Sequence, residues 1–153
     1  MVLGRANKFF LKSCRKIFCY TEQVKKQGLN LLCTPGNDVE STTAMAGSGA
    51  NLIIFTTGLG TPTGNAIAPV IKISSNTSVF KKMSDIIDFN SGSVVEGTQT
   101  MESLSTELLD YIIQVASGEI KTKSINGKSS IFKPGGVVLE GPMKLKGEAL
   151  LVK

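Results

Sequence analysis

Apolar residues in this chain fall into short blocks, each closed by a turn rich in glycine, threonine, serine or proline. Residues 28–33 form the first block and read as a strand that Pro35-Gly36 breaks. Asn37 or Asp38 then caps a short helix through about Ala46, with Asn37 and Glu40 spaced as a capping box, and Gly47 to Gly49 end it. Residues 51–57 carry the continuous run Leu52-Ile53-Ile54-Phe55, the pattern of a strand covered on both faces. A strand over Val70–Ser74, a helix over 77–83 capped by Ser75 and a strand over 86–89 repeat the alternation. Met101, Leu104, Leu108, Ile112 and Val115 recur at intervals of three and four, which predicts a helix over Met101–Ser117 stopped by Gly118. Beyond it, Asn126-Gly127 is a hairpin signal and Lys133-Pro134-Gly135-Gly136 a further turn.

Strands alternating with helices predict an α/β fold: an open, mostly parallel, Rossmann-like sheet with short βαβ crossovers and a C-terminal β-hairpin. At 153 residues the chain fits one domain, and its 41% hydrophobic and 19% charged residues are ordinary for a globular protein. No apolar run approaches the roughly 18 residues of a membrane-spanning helix, so a membrane is not an expected partner.

The net charge of +5 changes meaning once it is located. Residues 1–26 hold seven Lys or Arg against Glu22 alone, a net of +6; residues 27–153 hold ten basic and eleven acidic side chains, a net of −1. The division is therefore a basic N-terminal arm, 1–26, and a single α/β domain, 27–153, with no basic face that would call for nucleic acid. The arm mixes Phe9, Phe10, Leu11, Ile17 and Phe18 with basic residues, as a transit peptide does, although its low serine content favours a docking or remnant segment. Cys14, Cys19 and Cys33 make an odd count without a CxxC pair, which fits a reducing, cytoplasmic setting. The absence of histidine excludes Ser-His-Asp or Cys-His machinery and His-ligated metal within the chain.

The candidate chemistry lies in three turns at successive strand ends, 33–38, 56–64 and 72–76. In an open parallel sheet, ligands collect outside the carboxyl ends of the strands, so the three turns outline one polar pocket. Gly58, Gly60 and Gly64 do not fit GxGxxG and no P-loop lysine follows, which excludes a dinucleotide site. What remains is backbone that can approach a ligand, lined by the hydroxyls of Thr56, Thr57, Thr61 and Thr63, a lining suited to a polyhydroxy acid. Lys72, a lone cation among Val70, Ile71 and Ile73, reads either as a point charge for a carboxylate or as a solvated edge-strand lysine. Asp38 reads as a helix cap or as a group reaching a metal or a substrate hydroxyl. Cys33, closing a buried strand, reads as a small hydrophobe, and Asp85 and Asp88 fall on opposite parities, so they are not an expected carboxylate pair.

The motifs GLNLL at 28–32, CTPGND at 33–38, ANLIIFTTGLGTPTGN at 50–65, APVIKISSN at 68–76, DIIDFNSG at 85–92 and VASGE at 115–119, in this order and spacing, resemble the C-terminal portion of the altronate and D-galactarate dehydratase family. The resemblance covers about residues 17–119 and leaves residues 1–13 unmatched. It implies a hydro-lyase that removes water from a sugar acid to give a 2-keto-3-deoxy acid. It also implies a divalent metal of the iron or magnesium type, with ligands outside this chain. By the resemblance, Thr56, Thr57, Gly58, Gly60, Thr61, Lys72 and Asn76 would contact the sugar acid, with Asp38 in support. Family members are much longer, with an N-terminal domain and a central region. The resemblance therefore implies part of an active site, completed by a partner chain or within a homo-oligomer. A non-catalytic sugar-acid-binding module and a structural subunit of the same fold are the alternatives, the latter favoured by apolar surface exposed where the missing domains would pack.

Overall fold

The structure is a computed structural model that describes residues 16–25 and 27–124, and the backbone of two strands near the C-terminus. The elements run β1 (Ile17–Phe18), β2 (Leu31–Leu32), α1 (Asp38–Gly47), β3 (Ile53–Thr57), β4 (Val70–Ser74), α2 (Thr77–Lys82), β5 (Phe89–Asn90), α3 (Gly92–Val95), α4 (Met101–Ser117), β6 (Met143–Leu145) and β7 (Glu148–Leu150). The fold is α/β, and its sheets are small. One has the order β3-β4-β5 and is parallel throughout; a second pairs β1 with β2, also parallel; β6 and β7 pair antiparallel, Met143 opposite Leu150. The expected hairpin at Asn126-Gly127, the turn at 133–136 and most of the basic arm lie outside the described residues.

The register Ile53↔Val70 to Thr57↔Ser74 sends Ile53, Phe55, Val70 and Lys72 to one face of the sheet and Ile54, Ile71 and Ile73 to the other. On the first face Ile53, Val70 and Ala68 pack with Met45 of α1, Ala50 and Phe55. On the second, Ile71, Ile73 and Val115 pack with Leu108, Tyr111 and Ile112 of α4 and with Leu52 and Phe89. Helices thus cover both faces, the arrangement that parallel strands require.

The caps follow local chemistry. Asn37 caps α1, its side chain accepting from the Val39 amide at 3.0 Å, as the sequence predicts. Thr100 caps α4, and Gly118, at φ 82°, ends it in the left-handed region. The cap of α2 is Asn76 rather than Ser75: its side-chain oxygen accepts from Ser78 and Val79. An Asn carbonyl is fixed to its side chain as an acceptor and can meet two amides at once.

The order of burial reverses the expectation from composition. β3, with its unbroken apolar run, is an edge strand in which Ile54 remains 46% exposed, whereas all five residues of β4 are buried, Lys72 among them. β4 lies between two strands and under helices on both faces, so position in the sheet outweighs the character of the side chains. The strand expected over 86–89 is shifted to Phe89–Asn90, because Ile86 and Ile87 are held in a turn by the Met83 carbonyl. Within the segment read as a basic arm, residues 17–24 are stitched to the body: Phe18 is buried, the Val24 amide donates to Ser48 and Tyr20 to the Glu40 carbonyl.

Candidate functional site at the strand ends

The three turns meet at the carboxyl ends of β2, β3 and β4. Asp38, the first residue of α1, accepts a hydrogen bond from the Thr61 hydroxyl at 2.8 Å, and Thr61 in turn lies 2.9 Å from the Thr63 hydroxyl, which joins the first turn to the second. The second is joined to the third where the Ser75 amide donates to the Thr57 carbonyl at 3.2 Å. Thr57 also braces its own loop, its hydroxyl accepting from the Gly60 amide at 2.9 Å. Gly60 has φ 90°, and a Cβ there would run into the Met83 and Val79 side chains of the α2 region, so both conformation and space require glycine. A Cβ on Gly58 would lie 3.7 Å from the Ser75 hydroxyl, an ordinary contact, so space does not require glycine there.

The first turn opens onto a groove of about 710 Å³ between β2 and β3, with Asn30 to Asp38, Ser41 and Met45 on one side and Ile54, Phe55 and Thr56 on the other; residues 57–64 and 72–76 are not in its described lining. Of the residues singled out from sequence, Asp38 and Thr56 line this groove. Gly58 is exposed beside it in chain, and Thr61 is buried behind Asp38. Asn76 is exposed but its side-chain carbonyl serves α2. Cys33, expected to be buried, is exposed and lines the groove, because β2 is two residues long and has β1 as its partner rather than β3.

Lys72 has no exposed surface, which removes the reading of a solvated edge-strand lysine. Its register partner Phe55 lines the groove, and Lys72 does not. Burial pushes its ammonium below the ordinary lysine range; Asp88 works against that and Lys123 adds to it. Asp88 is the centre that sequence reasoning missed. Its carboxylate accepts from the Lys72 amide and the Lys123 amide, both at 2.8 Å. Burial, then the nearby Asp88 carboxylate, pushes the Tyr111 phenol up to about 12. Lys123 closes the cluster, donating from Nζ to the Ser84 and Ile87 carbonyls at 2.6 and 2.5 Å. No periodicity links residues 72, 88, 111 and 123; only an acid next to a buried strand hinted at the centre.

Among the described residues no three His, Cys, Asp or Glu side chains gather into a metal-ligand set. Asp38 is the one acid on the groove's described lining, and a single carboxylate does not satisfy a divalent ion. The residues present do not fit a complete metal site, and no chemical step is assigned through one. Among the described residues, no helix is long and apolar enough to cross a membrane.

Comparison with known proteins bears on this arrangement of turns. Residues 2–135 match the family model described as D-galactarate/Altronate dehydratase, C-terminal. The chain belongs to that family. The match extends beyond residues 17–119 at both ends and takes in the basic arm, including residues 1–13 apart from Met1, which the motifs left unmatched. The chain is 36% identical over 135 residues to altronate dehydratase of Bacillus subtilis, covering 87% of this chain and 27% of that protein. It is 39% identical over 118 residues to altronate dehydratase of Escherichia coli, covering 76% and 23%. It is also 35% identical over 116 residues to the L-threo-forming galactarate dehydratase of Escherichia coli, covering 73% and 22%. The chain thus spans about a quarter of the length of these curated relatives.

Proposed function

We propose that this chain supplies the strand-end part of a sugar-acid hydro-lyase, acting on a galactarate- or altronate-type substrate, and that the remaining part comes from a partner chain or within a homo-oligomer. The reaction removes the proton on the carbon next to the carboxylate and the hydroxyl on the following carbon, releasing water. The resulting enol rearranges to a 2-keto-3-deoxy acid. The observation that carries this reading is the joining of the three turns, Asp38 to Thr61 and Thr57 to Ser75, beside a groove that the first turn and Thr56 line.

In this reading Thr56, Thr57 and the backbone at Gly58 and Gly60 meet the polyol, while Thr61 and Asp38 hold the first two turns in register. Asn76 holds the third turn by capping α2. Lys72, enclosed in β4, contributes positive charge from beneath the turns rather than a direct contact. A divalent metal of the iron or magnesium type is part of this reading, with ligands supplied from outside this chain. The fold is read as Rossmann-like, and the setting as cytoplasmic, where the exposed Cys19 and Cys33 would stay reduced.

The test is an assay for 2-keto-3-deoxy acid from galactarate and altronate. It compares the chain alone with the chain mixed with the N-terminal three-quarters of the Bacillus subtilis enzyme and Fe²⁺ or Mg²⁺. Activity in the mixture that falls at least tenfold with Thr56→Val or Thr57→Val supports the reading. Binding of the sugar acid without turnover in any mixture points instead to a non-catalytic sugar-acid-binding module, whereas the exposed Ile17 and Ile54 favour the structural-subunit alternative.

A further inference from the structure

The groove beside β3 has a property that a small-molecule pocket does not need. A groove that faced only one side of a strand would be lined by every second residue, because successive side chains point to opposite faces. Here three consecutive residues of β3, 54 to 56, and five consecutive residues about β2, 30 to 34, line it. The groove therefore meets both strands edge-on.

The hydrogen bonds agree. Ile53 donates to the Pro69 carbonyl and Thr57 accepts from Ser75, so Ile53, Phe55 and Thr57 turn their backbone toward β4, and alternation turns Ile54 and Thr56 the other way. Leu31 and Cys33 donate to the Lys16 and Phe18 carbonyls, so their backbone faces β1 and that of Leu32 faces away from it. Two strand edges thus confront one another across a groove whose walls include Leu32, Met45, Phe55 and the exposed Ile17 and Ile54. Among the described residues the groove-facing backbone of Leu32, Ile54 and Thr56 takes no partner, and such an edge with apolar flanks is a template for another strand.

We propose that an extended apolar segment inserts here, pairs with β2 and β3 at once, and joins the two sheets into one in the order β1-β2-insert-β3-β4-β5. The occupant is a segment of the polypeptide that the longer relatives carry beyond this portion, since this chain spans 22–27% of their lengths. The proposal rests on the reading of the chain as one part of a larger hydro-lyase. Strand addition draws affinity from main-chain hydrogen bonds and specificity from alternate side chains, which the apolar walls would receive.

The experiment is residue-resolved amide hydrogen exchange on the 153-residue chain, with and without the N-terminal three-quarters of the Bacillus subtilis altronate dehydratase. The expected result is a slowing of roughly tenfold or more at Leu32, Ile54 and Thr56 in the mixture, with Phe55 little changed because β4 already holds it. Ile54→Pro removes a groove-facing donor and leaves the β3–β4 ladder intact, so it should weaken association about tenfold or more while α4 exchange stays at the parent level. Ile54→Lys, which keeps the amide but blunts the edge with charge, is the second variant should the proline perturb folding. Association without protection at these amides, association indifferent to both variants, no association, or equal protection by galactarate alone would each overturn the proposal. Dehydration without edge protection would sink the strand insertion and leave the functional reading standing; edge protection without dehydration would do the reverse.

Discussion

Asp88 and Asp38 occupy opposite situations in the same domain. Asp88 is buried and its carboxylate accepts from the Lys72 amide and the Lys123 amide, tying β4 to the segment after α4, with the Tyr111 phenol of α4 nearby. Asp38 is half-buried at the groove wall, and among the described residues its side chain takes one hydrogen bond, from Thr61. The chain's own donors occupy the first carboxylate, so it serves the fold. The second keeps acceptor capacity facing a groove, where a ligand hydroxyl would use it.

That contrast can be broken most forcefully at Asp88. Asp88→Ala leaves two backbone amides without their acceptor and should cost about 2–5 kcal/mol; urea unfolding followed by circular dichroism would measure it. A loss under 1 kcal/mol would mean the centre is incidental. Gly60→Ala should come next, at about 1–2 kcal/mol for a side chain held at positive φ, with Met83 and Val79 forced to shift. It should disturb the turns while chemical shifts around Tyr111 stay in place.

Tyr111→Phe should cost about 1 kcal/mol at neutral pH by removing the phenol beside Asp88, and it should also change the pH dependence. The phenol is held at about 12 in the fold, above its ordinary 10, so the unfolded chain gives up this proton first. The stability it contributes is complete below pH 10 and drains away as pH rises toward about 12. The variant should lack that part of the alkaline loss when unfolding is compared at pH 9 and pH 11. Asp38→Ala should be the mildest on stability, about 1 kcal/mol or less, through loss of one hydrogen bond and a favourable charge at the start of α1. Equal destabilisation by Asp38→Ala and Asp88→Ala would erase the distinction between the two sites.

Much of this was legible from local pattern. The span of α4, its stop at Gly118, the Asn37 cap of α1 and the position of β4 follow from side-chain spacing and cap chemistry that act within a few residues. The turns were legible too, since glycine and threonine in 56–64 set up the Thr57–Gly60 brace from within the loop. The motifs of these turns also carried the family, because they fix chemistry at short range.

Which strand lies at the centre was not legible, and neither was the cluster around Asp88. Leu52-Ile53-Ile54-Phe55 looks more buried than Val70-Ile71-Lys72-Ile73, yet the first belongs to the edge and the second to the middle. A sequence determines by itself where helices and strands begin, how they are capped and which turns are poised to meet. Strand order, the enclosure of Lys72, the meeting of residues 72, 88, 111 and 123, and the groove between two strand edges were decided by tertiary structure alone. They depend on which distant segments come together to exclude water, and short-range spacing carries no record of that choice.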